Sequence, residues 1–436
     1  MKYSYRNIED IKINIDDNYF INRCRIHKNN FIRNRKMSPK NIVLYELNKK
    51  GLTTKMEILN FNDINDVQDI SSPGLFKQRE KLNPDAFVYL TQKSLKRFYI
   101  DYKNEVKTHK GYVLTGIDGS DFEIPNTITA RRKYNGKLQN QCARITVSTC
   151  YDLLNHYTLD TIVESYNYSE TEMAKRHYET INNEGLLGNF KTIRIMDRNY
   201  KNLSHIYHYI KNDNKFLIRI ASSCYEKENQ SMKTNDEIIE IGYEYNRVRY
   251  YKNSDSELYE YLSNGNTIKV RCVKIKLDTG ETEYLLTNLE KKEFNTDEIA
   301  CLYNMRWKIE TNYHHLKSNI KIECITSSKD ILIKQDIYSQ VLVANMLQAF
   351  INEQNEELEK YKYKHKMKIN NNMAIGILKN TLIYILLEDN AEKRSEMMEK
   401  FNKRILKYTI PIKPGRKSER KNNPKNRYHI NQRKSF

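Results

Sequence analysis

Two aspartates in this 436-residue chain each follow a run of apolar residues that is typical of a β-strand. Asp118 lies in the segment Gly-Ile-Asp-Gly-Ser and Asp197 in the segment Ile-Met-Asp-Arg-Asn. A carboxylate at the C-terminal end of a strand faces the rim of its sheet, where α/β folds place their sites. Either aspartate alone is more typical of a turn or a helix cap.

A third acidic residue, Glu310, lies on a helix predicted from about Thr296 to Asn319. At about 100° per residue, one stripe roughly 60° wide holds four side chains, those of Tyr303, Arg306, Glu310 and Lys317. Such a stripe is not a simple core face. Two interpretations stay open, a wall of a catalytic site or a salt-bridged solvent face, because Arg306 and Glu310 are four residues apart.

Three carboxylates that converge can hold two Mg²⁺ ions, with Mn²⁺ as a substitute, because these hard cations prefer oxygen ligands. One ion would activate a water or a 3′-hydroxyl, and the other would stabilise the leaving oxygen during in-line displacement at phosphorus. If the three carboxylates converge, the catalytic metal ligands would be Asp118, Asp197 and Glu310, which is also the ligand set that the family resemblance described below implies. Flanking DNA phosphates would be bound by the groups beside the glutamate, namely Tyr303, Arg306 and Lys317.

Other side chains compete for these roles. Asp121 and Glu123 are alternatives for the first acidic position, and Asp118 is preferred because it directly follows the apolar run. His314 and His315 share the helix with Glu310, where an ordinary helix histidine is the simpler interpretation. The sequence has neither an H-E-x-x-H motif nor a Cys/His cluster, so nothing in it indicates zinc.

The elements that must position the aspartates alternate between strand and helix. This order predicts an α/β layered domain. Strands are predicted at Tyr112 to Ile117, Arg144 to Tyr151, Tyr157 to Glu164, Phe190 to Met196 and Phe216 to Ala221, and helices at Ser169 to Asn182 and Leu203 to Ile210.

Six segments are predicted along the chain. Residues 1–70 are helical and basic, with a helix start at Ser38-Pro39, and are either a region that binds DNA ends or a solvated basic bundle. Residues 71–110 are a helical connector. The catalytic core occupies 111–221 and 286–390 with its C-terminal helices, and a mostly β insertion at 222–285 interrupts it. Residues 391–436 are a basic, partly disordered tail, because nine Lys or Arg and one acid follow Pro411.

Composition limits the class of partner. The chain has 74 Lys and Arg against 55 Asp and Glu, a net charge of +19 that favours a nucleic acid or an anionic membrane surface. It lacks an apolar run long enough to span a membrane and an N-terminal secretory pattern. Seven dispersed cysteines without a C-x-x-C pair indicate reduced thiols and a cytoplasmic location.

Taken together, the motifs resemble the DDE-type insertion-sequence transposases. Tyr303, Arg306, Glu310 and Lys317 match the spacing of the Y-R-E-K signature of that family, and the segments around Asp118 and Asp197 are also similar to it. The resemblance spans roughly residues 71–322 and includes Leu285-Leu286-Thr287-Asn288-Leu289. It implies a ribonuclease-H-like mixed-sheet core, cleavage at transposon ends, strand transfer into target DNA, and a homodimer that pairs two double-stranded DNA ends near the bacterial nucleoid.

One position differs from the family pattern, and the residue that would stack a flipped base is left open. Asn199 stands where the family commonly has glycine, and asparagine tolerates a left-handed backbone. Some relatives stack a flipped base on an aromatic residue of the insertion, for which Tyr243, Tyr245 and Tyr250 are candidates, while Trp307 is expected in the core. The alternatives to a transposase are an inactive, transposase-derived DNA-binding protein and a ribonuclease-H-like nuclease.

Overall fold

The computed structural model describes residues 1–33, 35–65, 69–136, 142–277 and 280–413. Six helices precede the first strand and lead into a π-helical turn at Arg97–Asp101 and a 3₁₀ turn at Lys103–Glu105. These helices are α1 (Tyr3–Asp16), α2 (Asn18–Arg23), α3 (Pro39–Asn48), α4 (Thr54–Asn65), α5 (Ser72–Arg79) and α6 (Asp85–Lys96). The predicted helical character of residues 1–110 is confirmed, and Ser38 caps α3 by accepting the N–H of Asn41.

The predicted alternation after residue 110 is confirmed to within one or two residues at most boundaries. Its elements are β1 (Tyr112–Glu123), α7 (Ile128–Tyr134), β2 (Arg144–Asp152), β3 (Thr158–Ser165), α8 (Glu170–Asn183), β4 (Lys191–Met196), α9 (Leu203–Lys211) and β5 (Lys215–Ile220). Among these, the short helix α7 was not predicted. One boundary differs, because β1 was expected to end before Asp118 and continues to Glu123. Its antiparallel pairing with β2 continues after its parallel pairing with β4 has ended at Ile117.

The insertion contains helices as well as strands, so the predicted mostly β composition needs correction. It comprises α10 (Glu226–Gln230), β6 (Asp236–Ile241), α11 (Tyr245–Val248), α12 (Tyr251–Ser254), α13 (Ser256–Ser263), β7 (Ile268–Lys276) and β8 (Thr282–Thr287). Strand β8 pairs with β5, so the insertion extends the central sheet. The β7–β8 hairpin is confirmed, and residues 278–279 of its predicted turn lie outside the described residues.

The sheet has the order β3-β2-β1-β4-β5-β8-β7-β6. Strands β1, β4 and β5 are parallel to one another, and β2 pairs antiparallel with both β1 and β3. This mixed sheet confirms the predicted α/β, ribonuclease-H-like fold class. After β8 come α14 (Thr296–Asn304), α15 (Trp307–His314), a π-helical segment at His315–Ile320, α16 (Asp330–Glu359), β9 (Met367–Ile369), α17 (Asn371–Leu387), α18 (Ala391–Leu406) and β10 (Thr409–Pro411).

Side chains alternate between the two faces of the sheet, and each face has its own core. Leu114, Ile193 and Ile195 pack in the core that contains Ile309 of α15 and much of α16. Ile117 and Met196 pack in the core that contains α8 and α9. Helices therefore cover both faces of the central strands, and α15 lies on the face opposite α8.

The C-terminal region is more ordered than predicted up to residue 413. Residues 391–406 form α18, and β10 pairs with β9. The rest of the predicted basic tail, residues 414–436, lies outside the described residues. Within the part of the chain that the structure describes, no helix is long and apolar enough to cross a membrane.

Candidate active site

Asp118 and Asp197 lie side by side at the sheet edge. The parallel ladder between β1 and β4 ends at the pair Ile117 and Met196. Asp118 is the next residue of β1, and Asp197 is the first residue after β4. Neighbouring strands are about 4.8 Å apart. The Oδ1 atom of each aspartate accepts a nearby backbone N–H, from Gly119 at 2.9 Å and from Asn199 at 2.8 Å.

The alternation of side chains separates Asp118 from its competitors. Asp118 has the same parity along β1 as Leu114 and Phe122, which lie in the core beneath α15. Asp121 and Glu123 have the opposite parity and therefore belong to the face covered by α8. Of the three acidic residues on β1, only Asp118 shares a face with α15.

The electrostatic environment of Asp118 disfavours its negative charge. Burial, followed by the neighbouring charge of Asp197, raises the pKa of Asp118 to about 7. The guanidinium of Arg306 acts in the opposite direction and favours the carboxylate. A neighbouring carboxylate thus disfavours ionisation of Asp118, and a nearby cation favours it.

Two further polar residues that the sequence analysis missed lie at this edge. Glu170, the first residue of α8, has its Oε1 atom 3.5 Å from the point that a Cβ on Gly119 would occupy. Burial and the charge of Asp197 raise the pKa of Glu170. Tyr200 is fully buried. Its burial, followed by the negative charges of Glu170 and both aspartates, raises the pKa of its hydroxyl.

The predicted single helix that carries Glu310 is interrupted. It consists of α14, a tight turn at Met305 and Arg306, and α15, followed by the π-helical segment. At the break, Arg306 N–H donates to Tyr303 O and Ile309 N–H to Arg306 O, both at 3.0 Å, so the chain tightens to i→i+3 bonding. Tyr303 therefore belongs to a different helix from Glu310.

Arg306 connects Glu310 to the aspartates electrostatically. Its Nη2 donates to Glu310 Oε1 at 2.9 Å, and its charge also acts on Asp118. The Arg306 side chain is 9% exposed, the Glu310 side chain is 38% exposed, and Tyr303 is buried. The buried Arg306 and Tyr303 thus flank a glutamate that solvent can reach.

Lys317 holds the helix against the sheet. Its Nζ donates to the Asp121 carbonyl at 2.6 Å, pairs with Glu323 at 3.4 Å, and lies 4.5 Å from the centroid of the Phe122 ring. Its position in the π-helical segment brings it over the far end of β1. Its amine is occupied by protein groups in this conformation.

Tyr313 attaches α15 to the strand that carries Asp118. Its hydroxyl lies 2.7 Å from Asp118 O and 3.0 Å from Val147 O, within donating distance of both carbonyls. From the other face, Ser148 Oγ donates to the same Asp118 carbonyl at 3.3 Å. Gly116 allows the close approach of α15, because a Cβ there would lie 3.5 Å from Ile309 Cβ and 3.1 Å from Leu153 Cδ2.

The donor set at this edge fits a hard divalent cation. Every candidate ligand is a carboxylate oxygen. Among the residues that the structure describes, the buried Tyr200 hydroxyl and Glu170 Oε2 have no hydrogen-bond partner, so both atoms are available to a bound ion or its water ligands. However, no group of three or more His, Cys, Asp or Glu within the described ranges is arranged to hold a metal ion. The Glu310 carboxylate instead contacts Arg306.

Two expectations about neighbouring residues need correction. Trp307 is 43% exposed and lies beneath the Arg306 guanidinium at 4.8 Å, so it is not a core residue. Asn199 lies in a 3₁₀ turn at Arg198–Tyr200 and does not have a positive φ, so this turn needs no left-handed residue. The three insertion tyrosines proposed for base stacking are all exposed: Tyr243, Tyr245 and Tyr250.

Comparisons with known proteins identify the family of this chain. The family described as a transposase DDE domain matches residues 109–346, which is more than half of the chain and contains all three predicted acidic ligands.

Individual relatives match a shorter stretch. The transposase for insertion sequence element IS421 of Escherichia coli and InsL of insertion sequence element IS186A of Escherichia coli K12 are each 29% identical over 91 residues. These matches cover 21% of this chain and only about a quarter of the relatives, 24% and 25%. A solved cryo-EM structure of the piggyBac transposase synaptic complex with hairpin DNA matches at a TM-score of 0.45 and 10% identity, over 94% of this chain and 87% of that one.

Proposed function

This chain belongs to the transposase DDE domain family, and from that membership we propose that it cuts double-stranded DNA at transposon ends and joins the ends to target DNA. The observation that carries the proposal is the pairing of Asp118 with Asp197 at the rim of the sheet, on the face covered by α15. A site of acidic oxygens suits phosphoryl transfer, which depends on positioning and on stabilising charge.

We assign Asp118, Asp197 and Glu310 as ligands of two Mg²⁺ ions, with Mn²⁺ as a substitute. When bound, the ions would activate the attacking hydroxyl and stabilise the leaving oxygen. Arg306 orients the Glu310 carboxylate through their 2.9 Å hydrogen bond. Tyr303, Arg306 and Lys317 keep their proposed role near flanking phosphates. The burial of Tyr303 and Arg306, and the hydrogen bond from Lys317 to the Asp121 carbonyl, indicate that they also position Glu310 and β1.

Partners follow from the reaction. The substrates would be the two ends of a mobile element and a target duplex at the bacterial nucleoid, and a homodimer would bring the two ends together. We also propose that the basic helices of residues 1–70 contribute to binding the ends.

The test is a cleavage and strand-transfer assay with Mg²⁺ on supercoiled plasmid that carries the inverted repeats flanking the gene. We expect Glu310→Gln to abolish cleavage while DNA binding persists, because glutamine can still accept from Arg306 but has no charge for a cation. Asp118→Asn should also abolish cleavage, whereas Asp121→Asn, three residues away on the other face of β1, is the matched control.

Each alternative has its own result. Binding of the ends by the wild-type protein without cleavage would replace the proposal with a DNA-binding protein. Cleavage without joining would indicate a nuclease. Normal cleavage by Glu310→Gln would remove Glu310 from the ligand set.

A further inference from the structure

The cationic groups nearest Glu310 are poorly placed to follow a DNA strand away from the reacting phosphate. Arg306 is 8% exposed and is paired with Glu310, and the Lys317 amine contacts Asp121 and Glu323. A DNA backbone carries one negative charge at every phosphate. A strand that passes Glu310 therefore needs further cations along its path.

A cleft begins one helical turn beyond Glu310. It has a volume of about 550 Å³ and lies between the C-terminal end of α15, the π-helical segment and α17. His314 is exposed on its wall and stands four residues after Glu310, so the two side chains are neighbours on the helix surface. The cleft is lined by Lys50, His314, Ser318, Asn319, Lys321, Asn372, Ile375, Gly376, Lys379 and Asn380.

The lining is basic and rich in hydrogen-bond donors. It contains three lysines and three asparagines, and among the described residues that line it there is no Asp or Glu. Glu57 lies behind the lining, where its Oε1 accepts the backbone N–H groups of Lys50 and Leu52. The exposed Asn372 lies in the first turn of α17, where the helix dipole favours an anion.

The backbone brings the half-buried Lys50, whose Nζ donates to Asn380 Oδ1 at 2.9 Å, close to the exposed Lys321. Gly51, with φ of +84°, directly follows Lys50, and a Cβ there would lie 3.2 Å from the Cβ of Lys321. Lys321 ends the π-helical segment in the left-handed conformation, with φ of 65°. The end of α3 and the end of the Glu310 helix thus form one corner of the cleft.

The floor of the cleft holds a third cation. Lys379 is 8% exposed, and its Nζ donates to Ile320 O at 2.7 Å and to Gln340 Oε1 at 3.1 Å, both neutral acceptors. Burial lowers the pKa of Lys379 to about 8, because neighbouring negative charge does not offset the loss of solvation of the ammonium group. An anion in the cleft would supply such charge.

We propose that this cleft binds the sugar-phosphate backbone of the DNA strand that continues past Glu310, with Lys50 and Lys321 contacting consecutive phosphates. The inference rests on the proposed function for the identity of its ligand. It assigns a DNA-binding surface to residues that lie outside the Y-R-E-K stripe.

The first test measures binding of a mixed-sequence duplex by the full chain in EDTA, as a function of salt. Each phosphate contact contributes about 0.9 to the slope of log affinity against log salt, so Lys50→Gln with Lys321→Gln should reduce that slope by about 1.8. The control is Lys96→Gln with Lys103→Gln. Lys96 pairs with Glu184 just past the C-terminal end of α8, about 20 Å from the end that carries Glu170.

The second test does not depend on the folding of the double variant. A photo-cross-linking side chain at Gly376, where an added Cβ would meet nothing within 4 Å, should cross-link to labelled duplex, and the same group at Lys103 should not. Either an unchanged slope in a folded double variant or the lack of a cross-link at position 376 overturns the inference. Both tests measure DNA binding without divalent metal or cleavage. Their results therefore stand even if the protein does not cut DNA.

Discussion

At the scale of single residues, the main chain at Asp118 is held from both faces of the sheet. Tyr313 and Ser148 contact the same Asp118 carbonyl, and Ser148 Oγ lies 3.0 Å from His177 Nε2. His177 Nδ1 in turn lies 2.6 Å from Asp160. Serine, histidine and aspartate in this order are typical of hydrolases, but Ser148 and His177 are completely buried, so they support the strand and cannot reach a substrate.

We expect Tyr313→Phe to separate positioning from chemistry. The change removes the hydroxyl that joins α15 to the carbonyls of Asp118 and Val147, and a typical intramolecular hydrogen bond contributes about 0.5–1.5 kcal/mol to stability. Urea unfolding should show this loss, and kcat for cleavage should fall while the Kd for DNA is kept. Tyr361→Phe, at an exposed tyrosine, is the control. A wild-type kcat for Tyr313→Phe would show that the hydroxyl does not position Asp118.

Glu170 supplies a second prediction at this scale. Its carboxylate adds negative charge beside Asp197, and Coulomb attraction would help to hold a cation there. Glu170→Gln should raise the Mg²⁺ concentration that gives half-maximal cleavage by a few fold. Glu172→Gln, on the same turn but paired with Lys175 at the surface, should leave it unchanged. Equal Mg²⁺ requirements for the two variants would exclude Glu170 from the site.

The sequence predicts some of these residues and not others, for a physical reason. Asp118 and Asp197 could be predicted because each directly follows an apolar run, which is a feature of the neighbouring residues alone. Glu170 and Tyr313 act through contacts with residues far along the chain, and nothing in their own segments distinguishes them from a helix N-terminus and a core tyrosine. The exposure of Trp307 is likewise set by the break at Arg306, which the 3.6-residue period does not show.

At the scale of elements, a buried charge network joins the N-terminal helices to the catalytic core. Arg79 of α5 is completely buried, and its Nη2 donates to Asp336 of α16 at 2.6 Å. Arg79 Nε and Lys49 Nζ both pair with Glu46 of α3 at 2.6 Å. Lys49 also contacts Asp336. Two cations thus balance two carboxylates across three helices.

We predict that Asp336→Asn destabilises the whole chain. The substitution keeps the size of the side chain but leaves Arg79 and Lys49 with one carboxylate between them, and breaking a buried pair costs about 3–5 kcal/mol. Asp330→Asn, in the first turn of the same helix and paired with Lys334 at the surface, should cost under about 1 kcal/mol. Chemical unfolding measures both, and equal losses would contradict the importance of the network.

The same network explains a limit of sequence-based prediction at this scale. Five strands and two helices between residues 112 and 220 were predicted from local periodicity, and the structure confirms them, while the short helix α7 and the extension of β1 to Glu123 were not predicted. The union of residues 1–110 with α16, and of the insertion with the central sheet through β5 and β8, depends on long-range pairing. Local patterns therefore predicted the helices and strands. They did not show that residues 1–110 and the insertion pack into the same fold as the central sheet.

At the scale of the whole molecule, the excess of positive charge is unevenly distributed along the chain. Residues 414–436 contain eight Lys or Arg and one acidic residue, Glu419. The last strand that the structure describes before them is β10, whose three residues pair with β9. A deletion that starts at Pro411 would remove part of that strand, so the boundary for testing the tail lies after Lys413.

We predict that deleting residues 414–436 weakens DNA binding and flattens its salt dependence, with little effect on stability. The log–log slope should fall by about 0.9 for every DNA phosphate that the segment neutralises in the full-length protein, so the size of the change measures how many phosphates it binds. Thermal unfolding should be unchanged, whereas truncation after Leu406 should lower the melting temperature because β9 would then have no partner strand. Replacing the eight basic residues with glutamine at full length should reproduce the binding defect, since the effect depends on charge and not on length. An unchanged slope in both the deletion and the glutamine variant would assign DNA binding to residues 1–413, including the cleft beside Lys50 and Lys321.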